Sequence, residues 1–304
     1  MDIFLPVAGV SLNLFILVGV GALVGFLSGL FGVGGGFLLT PILMMVGIPP
    51  TVAAASDSCQ IVGASASGAA AHFRLGNVDL KLGSILLVGG LVGAAIGVRI
   101  IKVLRSLGNA DFVIVVTYIV VLGSIGSYMF IESLQSLRRG SMAGKHHSAA
   151  KKGTLLAKLP LQMQFPRSGV QHSAFVPFVL CAIVGVLAAI MGVGGGFIMV
   201  PMMVYLLRMP MHVAVGTDLF QILFTCAGVT FMQAVSNHTV DIVLAILLMV
   251  GSTIGAQFGA RLGKRLRGDQ LKILLAGIVL LVMVKMTVGL VLTPSSLLSY
   301  AGGH

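Results

Sequence analysis

FGVGGGFLLTPI at residues 31–42 returns as MGVGGGFIMVPM at residues 191–202. A glycine triplet and a proline repeating in one register mark an internal duplication. The correspondence extends outward from this run. Ala54–Gln60 (AASDSCQ) lines up with Val215–Gln221 (VGTDLFQ), and Val78-Asp79 with Val240-Asp241. Farther on, Gly93, Gly97, Arg99, Lys102 and Arg105 meet Gly255, Gly259, Arg261, Lys264 and Arg267. Each copy is one folding unit of about 120 residues.

Composition fixes the solvent in which these units fold. Of 304 residues, 57% are hydrophobic and only 9% charged, where soluble domains carry about 25% charged residues. Apolar stretches near twenty residues recur at Ser11–Leu30, Thr51–Phe73, Leu80–Val98, Phe112–Ile131, Ser173–Met191, Val213–Val235, Ile242–Ala260 and Leu271–Leu292, the length a bilayer demands of a helix. The 41 glycines suit that setting, because helices in lipid associate by close packing of small residues. The net charge of +11 sits in the connectors, where it orients a membrane protein, so no nucleic-acid partner is expected. Cys59, Cys181 and Cys226 lie in apolar segments without metal-ligand spacing, and neither a disulfide framework, a metal nor a cofactor is indicated. The first segment lacks a positive leader and is expected to stay in the membrane.

The chain therefore reads as an all-α polytopic membrane protein of two homologous halves, each with about five short or discontinuous transmembrane segments. Residues 1–131 form the first repeat, 132–171 a basic linker loop, and 172–304 the second repeat. The short pieces Phe37–Ile48 and Phe197–Leu207 decide the relation between halves. If they cross, the halves are inverted; if they re-enter, the halves are parallel. Inversion gathers Arg74, Lys81, the central loop, Arg208 and the Arg261–Lys272 connector on one side, as the positive-inside rule prefers. Inverted repeats with both termini outside and the loop in the cytoplasm are the expectation. Within the loop, Leu155–Phe165 reads as a solvated tether, or as a segment lying on an anionic lipid surface.

Candidate binding groups follow from the repeat. Gly34, Gly35 and Gly36, with Gly194, Gly195 and Gly196, suggest broken helices whose N-termini present positive dipole ends to an anion; tight helix crossing is the bland alternative. No Lys-Ser/Thr follows the glycines, so this is no nucleotide loop. Ser56-Asp57 with Gln60, and Thr217-Asp218 with Gln221, are read as opening the third helix of each half. Capping is one role for them. The other is contact with solute by Ser56, Thr217 and the glutamines, with Asp57 or Asp218 as coupling or charge-balancing groups. A permanently ionised carboxylate would repel an anion, so proton or ion coupling enters here. Lys285 lies inside the last apolar segment, where alignment sets Gly123 in the first half, and reads either as a counter-ion or as a snorkelling side chain. His72, His212 and His238 fall at helix ends and read as interfacial.

The duplicated GVGGG-x₄-P run, followed about fifteen residues on by Ser/Thr-Asp, resembles the sulfite exporter TauE/SafE family of membrane transporters. The matched positions are Gly34, Gly35, Gly36 and Pro41, then Gly194, Gly195, Gly196 and Pro201. Resemblance implies a permease of the bacterial cytoplasmic (inner) membrane exporting sulfite or organosulfonates such as sulfoacetate.

The expected function is thus secondary transport of a small sulfur-containing anion by alternating access, with the site between the repeats. Its partners are the anion and the lipid bilayer, with a homodimer also open. Transport of another organic acid or of a cation is the alternative, as is a non-transporting scaffold or sensor. An enzyme is not expected: the sequence has no HExxH, no carboxylate pair at catalytic spacing and no Ser/His pair.

Overall fold

The computed structural model describes residues 2–31, 36–138, 162–165, 170–207, 209–263 and 268–292. Each half has the same order of elements. A β-hairpin, β1 (Asp2–Leu5) with β2 (Val10–Asn13), leads into α1 (Leu14–Phe31), α2 (Gly36–Met45), α3 (Pro50–Arg74), α4 (Leu80–Ser106) and α5 (Ala110–Arg138). A second hairpin, β3 (Gln162–Phe165) with β4 (Val170–Ser173), leads into α6 (Phe175–Met191), α7 (Gly196–Tyr205), α8 (Met211–Asn237), α9 (Ile242–Gly263) and α10 (Gly268–Leu292). Both strand pairs are antiparallel, Leu5 pairing with Val10 and Phe165 with Val170. The sequence reading placed β3 and the first half of β4 inside the linker; of the expected surface segment Leu155–Phe165, residues 155–161 lie outside the described residues.

Among the described residues, α4, α8 and the stretches Ala110–Ile131, Ile242–Gly259 and Ile273–Val291 are long and apolar enough to cross a membrane. Leu14–Leu30 and Phe175–Met191 are shorter apolar helices. The two glycine-led pieces are shorter still. At ten residues each and about 1.5 Å rise per residue, α2 and α7 reach roughly half of a ~30 Å hydrocarbon core. Pro41 and Pro201 lie inside them, each taking one backbone donor from its helix.

The halves are interwoven. The first helix of each half packs on the fourth helix of the other, α1 on α9 and α6 on α4, while α3 meets α8 and α5 meets α10. Glycine makes the first pairing possible. A Cβ at Gly21, Gly25 or Gly29 would run into the backbone of Leu248, Ser252 or Ala256, and one at Gly251, Gly255 or Gly259 into that of Val18, Ala22 or Phe26. Backbones this close gain dispersion contacts that lipid tails do not match. The contacts rise together along both chains, so α1 and α9 run side by side in one direction. Gly89, Gly93 and Gly97 meet Phe178, Ala182 and Val186 in the same rising order, and α4 runs with α6. By contrast Gly123 faces Met283 while Gly126 faces Val279, so α5 and α10 run oppositely. In α3 and α8, Ile61 packs with Ile222 and Cys226, and Gly68 faces Leu219, again an opposite sense.

Two sequence expectations change here. Ser56-Asp57 and Thr217-Asp218 do not open their helices: α3 and α8 begin at Pro50 and Met211, with Pro49 and Pro210 as N-caps, so both motifs lie nearly two turns inside. Proline supplies the helix start instead. Lys285, in turn, is exposed on the outer face of α10.

Candidate functional site

The two glycine-led breaks meet in the interior. Gly195 caps α7 in the left-handed region at φ +85°, next to Gly194 at φ +73° and Gly192 at φ +75°. L side chains rarely adopt this conformation, so three glycines so close together let the chain turn from α6 into α7. A Cβ at Gly36, the first residue of α2, would meet the Ile61 side chain and come within 3.3 Å of Val193 O. One at Gly194 would lie 2.9 Å from Cys226 Sγ, 3.1 Å from Ile222 Cγ2 and 3.3 Å from Ile61 Cγ2. Just inside the half-helices, the rings of Phe37 and Phe197 stack with centroids 4.5 Å apart. Thus the N-termini of α2 and α7 converge on a region walled by Ile61 of α3 and by Ile222 and Cys226 of α8. Gly34 and Gly35 lie outside the described residues; Gly36, Gly194, Gly195 and Gly196 all belong to this convergence.

The first turn of a helix leaves N–H groups without intrahelical acceptors. In α7, Ile198 and Met199 donate back to Gly195 O at 3.0 and 2.9 Å. Ahead of them stand the N–H groups of Gly196 and Phe197, at the positive end of the half-helix dipole.

Residues four apart share a helix face, so Asp57 lies on the face of Ile61, and Asp218 on that of Ile222, each one turn toward its helix start. Both aspartates are buried. Thr40 of α2 donates its hydroxyl to Asp57 Oδ2 at 2.7 Å, while Asp57 Oδ1 and Asp218 Oδ1 are buried without a hydrogen-bond partner. Close by, the Tyr118 hydroxyl of α5 donates to Met191 O at the end of α6. Gln60 Nε2 reaches Ser252 Oγ of α9 at 2.6 Å, whereas Gln221 Nε2 turns to Thr225 Oγ1 of its own helix at 2.7 Å.

Ser56 and Thr217 take a different part. Ser56 Oγ accepts the backbone N–H of Asp241, and Thr217 Oγ1 that of Asp79, each at 3.0 Å. Those aspartates start the fourth helices: Asp79 Oδ1 accepts from Leu82 N–H at 3.2 Å and Asp241 Oδ1 from Leu244 N–H at 3.1 Å, the work of an N-cap. Asp241 Oδ2 also accepts Val7 N–H from the first hairpin at 3.1 Å. Ser56 and Thr217 are therefore braces between the halves, and Lys285 is exposed on α10. The residues missed by sequence reasoning are Thr40, Tyr118, Ser252 and Thr225. Of these only Thr40 carries a signal, as the one polar side chain within the duplicated glycine-proline run.

Comparison with known proteins agrees with this frame. The family profile described as sulfite exporter TauE/SafE matches residues 17–286. Probable membrane transporter protein YunE of Bacillus subtilis (strain 168) is 26% identical over 245 residues, covering 78% of this chain and 84% of its own. Probable membrane transporter protein YjnA of the same organism is 26% identical over 265 residues, covering 86% and 94%. Sulfite exporter TauE/SafE family protein 2 of Arabidopsis thaliana is 36% identical over 93 residues, 30% of this chain and 20% of that protein. No solved structure matches. With the profile spanning both halves and a bundle of membrane-length helices around paired glycine breaks, the chain belongs to the sulfite exporter TauE/SafE family of membrane transporters.

Proposed function

We propose that this transporter moves a small sulfur-containing anion, such as sulfite or an organosulfonate, across a bacterial cytoplasmic membrane by alternating access, with its site where the two half-helices meet. The observation that carries the reading is the convergence of the α2 and α7 N-termini beside Ile61, Ile222 and Cys226. Oriented N–H groups bind an oxyanion without a fixed positive charge. The apolar wall around them strengthens each such bond by excluding water. The family description and the printed name of the Arabidopsis relative, both of which mention sulfite, support the substrate class.

Many alternating-access transporters are built from inverted repeats, and helix directions support that arrangement here. Gly83 faces Phe220 and Gly90 faces Thr225, so α4 runs with α8. Ser56 and Gly63 meet Asp241 and Met249 in rising order, so α3 runs with α9. Since α3 opposes α8, α4 opposes α9. Because α1 follows α9 and α6 follows α4, α1 then opposes α6, as α3 opposes α8 and α5 opposes α10.

Purified protein in proteoliposomes should carry labelled sulfite or sulfoacetate, with saturation and with competition by the other sulfur oxyanions. No flux of any sulfur anion, together with flux of a carboxylic acid or a cation, would reassign the substrate.

A further inference from the structure

We propose that the two buried carboxyl groups are not equivalent, and that Asp218 alone is the proton-exchanging site while Asp57 is its pinned structural counterpart. The proposal rests on the chain being a transporter and adds the coupling ion to that reading.

Duplication gives each half the same raw materials, so differences between the copies show where their roles part. Asp57 is held across helices by the Thr40 hydroxyl of α2, at 2.7 Å. In the second half the position of Thr40 is Val200, which has no hydroxyl, and Asp218 keeps an unpartnered Oδ1 though only 2% exposed. The glutamines differ in the same sense. Gln60 is tied to Ser252 of α9, but the counterpart of Ser252 is Gly90 of α4. A Cβ at Gly90 would come within 2.7 Å of Gln221 Nε2, 2.9 Å of Thr225 Oγ1 and 3.3 Å of Cys181 Sγ. Asp57 Oδ2 and Gln60 are thus each tied to a neighbouring helix, although Asp57 Oδ1 has no partner. Asp218 and Gln221 lack those two ties, and polar groups gather at a glycine.

A buried carboxyl without a donor is more readily accommodated when neutral, and a single proton needs no coordination shell. Titratable groups around this half-site include Cys181 of α6, Cys226 of α8 itself, Asp79 heading α4, and His72 and, beyond Cys226, Asp57 of α3. The imidazole Nδ1 of His72 is buried without a partner, 3.1 Å from where a Cβ on Gly216 would stand. Binding a proton at Asp218 cancels one negative charge close to the α7 N-terminus, where the anion of the proposed function would sit, so anion and proton would favour each other by elementary electrostatics.

The test needs no substrate for its first arm. Infrared difference spectra of the purified protein between low and high pH should show a protonated-carboxyl C=O band. Asp218→Asn should remove it and Asp57→Asn should keep it. Val200→Thr, nearly isosteric and therefore foldable where Asp218→Asn fails, should move the band to lower frequency as a new hydroxyl bonds the carbonyl. In the second arm, proteoliposomes loaded with a pH dye should show proton movement with sulfoacetate flux, lost in Asp218→Asn. A band that survives Asp218→Asn, one that is lost in Asp57→Asn, one that Val200→Thr leaves unmoved, or sodium-dependent flux without proton movement would overturn the proposal. If no sulfur anion moves yet the band behaves as stated, the substrate reading fails and the proton site stands.

Discussion

Ser56 and Asp241 are 185 positions apart in sequence, yet the Ser56 hydroxyl accepts the Asp241 backbone N–H at 3.0 Å. Thr217 does the same for Asp79. Each hydroxyl thereby holds the start of the other half's fourth helix, so the pair fastens the repeats together. Ser56→Ala and Thr217→Ala should each cost about 0.6 kcal/mol, the usual worth of a hydrogen bond between membrane helices. The double variant should melt lower than either single one, while saturation by sulfite changes little. A large rise in the half-saturating concentration at unchanged melting temperature would restore the solute-binding role that sequence suggested.

Gly255→Leu should be among the most damaging single changes. A side chain there has to displace the backbone of Ala22 and Phe26, and overpacking of a close interface costs about 1–3 kcal/mol or more. The yield of monodisperse protein in detergent should fall severalfold. Gly277→Leu, where a Cβ meets nothing within 4 Å, should express like the parent.

Gly195→Ala addresses the break itself. Alanine at φ +85° costs about 1–2 kcal/mol, and its Cβ would also press on Val184. Flux in proteoliposomes should fall at least tenfold with the protein still folded by thermal melt. Unchanged flux would remove the α7 N-terminus from the site.

Lys285→Leu should leave flux within about twofold of the parent. The side chain is exposed on α10, as a lysine that snorkels must be, and removing a charge from a span is favourable by up to about 3 kcal/mol on insertion scales. Loss of flux would mean that the lysine serves the interior after all.

Much of this architecture is written in the repeat. Because helices end where apolar runs stop and breaks fall where glycines cluster, the ten helices among the described residues, two of them short and glycine-led, were legible. The hairpins were not, since β1 and β3 are only four residues long and polar in part; the shared Pro6-x-x-Gly9-Val10 and Pro166-x-x-Gly169-Val170 spacing was the missed trace. The position of Ser56 and Thr217 inside their helices was misread because serine, threonine and aspartate are cap types, while the preceding Pro49 and Pro210 already give the start. Thr40 and Tyr118 escaped notice because their partners, Asp57 and Met191 O, lie on other helices, and long-range pairing leaves no local pattern.

The crossed packing of α1 on α9 bears on how the chain is made. A ribosome delivers α1 to the bilayer more than two hundred residues before the surface it fits exists. Until α9 follows, the close-packing glycines of α1 face lipid or a chaperone. The first half by itself would be an unfinished object, stable only when the second half, from the same chain or from a separately expressed fragment, arrives to receive its opening helix. Fragments ending and beginning within residues 139–161 should therefore survive in the membrane together and be degraded apart, a difference that immunoblotting of co-expressing and single-expressing cells would read directly.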